Sequence, residues 1–214
     1  MELKSDFKKE SETVEVTNTE LEMEKDSSWL HRTSLHIALI STFTAITIVL
    51  GYLLIYLPNI ELFTLFIFLS GFILGKNEGY VVGSLSSLIF CYFNPFGSSP
   101  IPLLIFQIFH YSLTGFIGGL IKSICQKKRF FKSGGDFYKP SFMVLFGLIG
   151  ALLTVNYQII SSIIHVLSFL GTLNEFLPYF LSGIVFTIIH IIGNTLGFIF
   201  ILPGLIQLIN KMLD

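Results

Sequence analysis

Three apolar stretches of this chain each carry a single stripe of polar side chains. Gln107, His110, Tyr111 and Thr114 follow the spacing i, i+3, i+4, i+7. At about 100° per residue that spacing puts all four on one helical face. Thr154, Tyr157, Gln158, Ser161 and His165 form a second stripe, with Asn156 pointing the opposite way. Thr187, His190 and Asn194 form a third. Polar groups at such depth are costly in a lipid-facing helix, so they are expected to point inward. Amides, hydroxyls and imidazoles can hydrogen-bond a small polar solute, and Tyr111 and Tyr157 can stack on it. The same groups can also simply tie helices together. Both readings stand at this point. The first predicts a pocket open to the outside.

The enzyme readings are weaker. "HIIGNTLG" (190–197) looks like the histidine helix of rhomboid proteases, H-x-x-G-x-x-x-G. A serine in a G-x-S-G turn would be its partner, but both "FLSG" segments (68–71 and 180–183) lack the first glycine. Ser182 precedes His190 by eight residues on one helix, roughly 12 Å by helical rise, too far to pair directly. The five histidines show no metal-ligand spacing, and no Walker sequence is present. The chain is read as a non-enzyme that needs neither metal nor cofactor.

Composition supplies the setting. Of 214 residues 52% are hydrophobic, 23 are Phe and only 13% are charged, with mean hydropathy +0.76; soluble domains average about 25% charged. Residues 1–32 hold nine of the 14 acids and five of the 13 bases. They read as an acidic, disordered cytosolic tail, with an amphipathic partner-binding helix as the alternative. They lack the basic start and apolar core of a secretory signal. Residues 33–214 read as an all-α bundle of six transmembrane helices, near 34–56, 60–75, 79–93, 101–122, 141–168 and 178–202. Pro203 is expected to bend or end the last. Cys91 and Cys125 fall at opposite faces of that layout, so a disulfide is not expected.

Six passes put both ends on one side. Eight Lys and Arg beyond residue 33 belong to that side, and the loops near 57–60, 94–100 and 169–178 contain none. The positive-inside rule makes both ends cytosolic and the location a cell membrane. The outer loops instead carry Glu61 and Glu175. Each alone reads as a solvated charge. Together they favour a cationic or neutral polar solute over an anion. Small residues recur at four-residue spacing in Ser34, Ala38 and Thr42, in Gly79 and Gly83, and in Gly193 and Gly197. Such spacing lets helix backbones approach.

Residues 57–121 carry P-N-x-E-x-x-T, a G-x-x-x-G-x-x-x-G run from Gly75 to Gly83, the loop N-P-F-G, Gln107, and "GFIGGL". This order resembles the substrate-binding S components of energy-coupling factor (ECF) transporters. The resemblance implies capture of a vitamin or vitamin precursor from outside. It also implies partners in the bilayer: a transmembrane coupling subunit driven by two ATPase subunits, and no nucleic acid. The outer loops would contribute Asn59, Glu61, Asn94, Phe96, Gly97 and Glu175 to the site. "FNPFGSSP" would be its lid, stiffened by proline. Gln107, Tyr111, Tyr157, Gln158, His190 and Asn194 would line it from the helices. Ser34, Ala38 and Thr42 would form the docking face. A self-sufficient secondary transporter or channel competes with this reading, but such carriers usually show two related halves, and no internal repeat is evident. A ligand-free scaffold is the third class.

Overall fold

The computed structural model describes residues 34–127 and 137–213, all helix and connecting turns, with no strand among them. The acidic tail, 1–32, lies outside the described residues. The chain divides into two units, Met1–Leu39 and Ile40–Asp214. Of the first, only the start of α1 (Ser34–Leu54) is described; everything below concerns the second.

α1 is followed by α2 (Phe63–Leu74), α3 (Lys76–Tyr92), α4 (Ile101–Lys127) and α5 (Pro140–Phe169). A short 3-10 turn, Leu173–Glu175, leads into α6 (Phe176–Ser182) and α7 (Ile184–Leu196). A π-helical turn, Gly197–Ile201, joins α7 to α8 (Leu202–Leu213). Four segments are long and apolar enough to cross a membrane: Ser34–Leu54, Ile101–Cys125, Pro140–Phe169 and Ile184–Ile209. Their large apolar side chains face outward freely, as at Leu53, Leu152 and Val185. That pattern suits lipid and not water.

The expected second and third spans differ from these four. α2 has only 12 residues, about 18 Å of helix against a hydrocarbon core of about 30 Å. Ten of its residues are buried, from Phe63 to Ile73, so α2 is a central post enclosed by α3, α4 and α8. α3 has 17 residues and opens on the polar run Lys76–Asn77–Glu78. Gly75 alone separates the two helices, at φ 135°, where a side chain would be strained.

Glycine sets the packing of these three helices. A methyl group on Gly79 of α3 would stand 2.6 Å from the Gly115 carbonyl oxygen of α4. One on Gly71 of α2 would overlap that same carbonyl. Gly79 therefore faces Gly115 of "GFIGGL" backbone to backbone, and Gly83 faces the Tyr111 backbone one turn earlier, as small-residue spacing predicts. The pair Gly193 and Gly197 behaves otherwise. A methyl on Gly193 would meet only the Asn59 carbonyl oxygen at 3.9 Å, and one on Gly197 the Leu65 side chain at 3.3 Å, so that spacing marks no approach of two backbones. Below the crossing, Phe68, Phe72, Phe146 and Phe198 pack into one buried aromatic cluster between α2, α5 and the π turn.

Pro203 does not end the last helix, contrary to one of the two expectations for it. The helix continues to Leu213. The π turn directly before it widens the backbone by one residue, which accommodates a residue that has no N–H to give. The interruption falls earlier, at Gly183 between α6 and α7. Cys91 and Cys125 are not joined by a disulfide.

Candidate functional site

The three polar stripes turn inward. Gln107, His110, Tyr111 and Thr114 of α4 are buried, as are Thr154 of α5 and Thr187, His190 and Asn194 of α7. What joins two of the stripes is a loop residue. Glu61 stands two residues before α2, and its Oε1 accepts from three donors: Thr64 Oγ1, His190 Nε2 at 3.1 Å and Asn194 Nδ2 at 3.1 Å. Asn194 Nδ2 also donates to Thr154 Oγ1 at 2.9 Å, and that hydroxyl donates to the Gly150 carbonyl at 2.8 Å. Gln158 Nε2 donates to His190 Nδ1 at 2.8 Å. With Nδ1 accepting, the imidazole proton sits on Nε2 and points at the carboxylate. His190 thus bridges Gln158 and Glu61, and Asn194 bridges Thr154 and Glu61, so one network joins α5, α7 and the head of α2. Oε2 of Glu61 makes no hydrogen bond among the described residues, and the side chain stays 20% exposed.

Beside this network lies an aromatic cluster. Tyr157 adjoins Gln158 in sequence, and its ring centre is 6.3 Å from that of His190, 5.2 Å from His110 and 5.7 Å from Tyr111. Phe63 meets Tyr111 edge-on at 4.9 Å and Phe90 at 4.7 Å. Gln107 Nε2 donates to the Tyr157 hydroxyl at 3.0 Å. Its Oε1 is buried and has no partner among the described residues. An unpaired buried acceptor costs roughly 1–3 kcal/mol, unless something else pairs with it.

Asn156 points away from its stripe, as its position implies, into an apolar groove of 470 Å³ between α4 and α5, which His110 backs. Ser70 donates to the Ile67 carbonyl and Ser182 to the Tyr179 carbonyl, while His190 is engaged by Glu61 and Gln158.

The other loop residues do not join the cluster directly. Asn59, at φ 57°, donates from Nδ2 to the Phe186 carbonyl at 2.7 Å and pins the Glu61 loop to α7. Asn94 Oδ1 accepts from the Phe96 N–H, a local turn within "NPFG". Phe96 is 70% exposed and touches Tyr56 edge-on at 5.9 Å, so the loops after α1 and α3 meet there. Glu175 is exposed on the 3-10 turn and has no part in the network. Any negative field at the cluster comes from Glu61. Among the residues that complete the site, Thr64 was readable as the position i+3 from Glu61, and Phe63 carried no polar signal. Ser34 and Ala38 are exposed in the first unit, and Thr42 is exposed in the second.

No protein-family model matches the chain, and no curated protein or solved structure matches it.

Proposed function

We propose that this chain is the substrate-binding S component of an ECF-type transporter in the cell membrane, capturing a vitamin-like solute from outside. Beyond the four helices long enough to span, the shorter α2 and α3 are then the remaining two of six passes, α2 being enclosed by α3, α4 and α8, with both ends cytosolic. The observation that carries the reading is Glu61: a loop carboxylate brought to the meeting point of the polar stripes of α5 and α7, one oxygen uncommitted, against the aromatic wall of Tyr111 and Tyr157. The lysine and arginine bias in sequence places that loop outside. The absence of a nucleotide-binding sequence places the energy source on partner subunits.

Reconstitution tests this directly. The chain alone in proteoliposomes should bind its solute and not accumulate it; accumulation should require added coupling and ATPase subunits with ATP. Ion-gradient-driven accumulation by the chain alone would replace this reading with that of a self-sufficient carrier. The break at Gly183 favours such a carrier, because discontinuous helices build the sites of secondary transporters.

The face of α1 bearing Ser34, Ala38 and Thr42 is the surface offered to the coupling subunit. Ala38→Trp puts an indole where close helix approach needs a small side chain. ATP-driven uptake should fall to background while solute binding by the isolated chain keeps its Kd. Lost binding with assembly intact would assign docking to another face.

A further inference from the structure

We infer that the solute is a flat nitrogen heterocycle bearing an amino group, neutral or singly positive, and not a carboxylate; this rests on the reading above as a solute-binding subunit. Two acceptors carry the inference. Gln107 Oε1 is buried without a partner among the described residues, and Gln107 is only 8% exposed. One of its two amide hydrogens goes to Tyr157, and the oxygen is the atom left with no partner among the described residues. Glu61 has all three of its hydrogen bonds on Oε1, which leaves Oε2 as a second acceptor. It too calls for N–H donors. On the donor side the cluster offers neutral groups, the second amide hydrogens of Gln107 and Gln158. His190 Nε2–H is spent on Glu61, and both amide hydrogens of Asn194 go to Glu61 and Thr154. Among the described residues no Lys or Arg contributes to the cluster: Lys122 Nζ donates to the Ile73 carbonyl, and Lys76 and Lys139 sit at the starts of α3 and α5. An anionic ligand would face a carboxylate with no cation to offset it, which is unfavourable at low dielectric. The rings at the cluster are the half-buried Tyr157 and the buried Tyr111 beside it, with Phe63 enclosed between Tyr111 and Phe90. They suit a planar ring and are attracted to a positive one.

The test uses the full chain in lipid nanodiscs. Melting temperature and calorimetric Kd are read with cytosine, adenine and thiamine, then with biotin, pantothenate and nicotinate. At least one aminated probe should raise the melting temperature and titrate to a single site, and no carboxylate should do either. Binding of a carboxylate, or of none of the aminated probes, overturns the inference. A chain that assembles with coupling and ATPase subunits and transports a carboxylate would keep the transporter reading and lose this one. Gln107→Met removes the orphan oxygen at similar volume. It should weaken the bound probe about tenfold, one ordinary hydrogen bond, while in the probe-free protein relief of the unpaired oxygen offsets the lost bond to Tyr157 and the melting temperature stays close to the parent's. Unchanged affinity would remove Gln107 from the site.

Discussion

Replacing Glu61 by alanine should cost the protein both its solute binding and about 2–6 kcal/mol of stability, the penalty of two stranded buried donors at roughly 1–3 kcal/mol each. The size follows from what the carboxylate leaves behind. His190 Nε2–H and one Asn194 amide hydrogen both end on Glu61 Oε1. His190 is 7% exposed and Asn194 3%, so few waters can reach them. Each stranded donor carries a desolvation penalty of roughly 1–3 kcal/mol. Glu61→Gln separates the two losses. The amide oxygen can still accept from these donors, so the fold should survive with a modestly lower melting temperature. Affinity for a cationic or amine-bearing solute should weaken by about 1–3 kcal/mol, the worth of a charge-assisted hydrogen bond. Melting curves and titrations on both variants check this. An alanine variant that melts like the parent would show that the network does not hold α5 and α7 together.

Much of this site was legible in the chain, and the limits have physical causes. The inward faces of α4, α5 and α7 follow from polar residues at helical spacing in apolar segments, because a membrane helix can afford such groups on one side only. Depth was harder to read for loops. Glu61 and Glu175 look alike in sequence: each is an acid in a loop without bases. One is drawn into a network of three donors and the other stays exposed. Only Glu61 is pinned, through Asn59 to the Phe186 carbonyl, a contact 127 residues away in sequence that no local pattern carries. Pro203 shows a different limit. Its missing N–H predicts a stop, but a π turn one residue upstream absorbs the defect. That turn has no reliable residue signature. Glycine spacing gave a mixed result for the same reason: it states that a close approach is possible, and the partner helix decides whether it occurs.

The glycine contrast gives the second large effect. Gly115→Leu should leave little folded, monodisperse protein, and Gly115→Ala should melt well below the parent. A Cβ at Gly115 would run into the Gly79 carbonyl of α3, with the Gly79 Cα only 3.1 Å away. Both are backbone atoms, so no rotamer change relieves the overlap; α3 and α4 must separate. Overpacking of this kind costs typically about 1–3 kcal/mol for one methyl, and more for a larger group. The displacement would also travel to the site. Tyr111 lies one turn before Gly115 on the same helix, and Gln107 one turn before that, so tilting α4 moves the orphan acceptor and the ring that meets Phe63. Gly115→Ala should therefore weaken solute binding even where it folds. Gly193→Ala is the matched control, on a helix that supplies His190 and Asn194. Its methyl would have only the Asn59 carbonyl oxygen at 3.9 Å, and alanine is the better helix former by about 1 kcal/mol. It should melt at or above the parent temperature. Equal destabilisation by the two alanines would mean that glycine is needed for backbone freedom in both helices, and that the crossing of α2, α3 and α4 is not what fixes the position of α4.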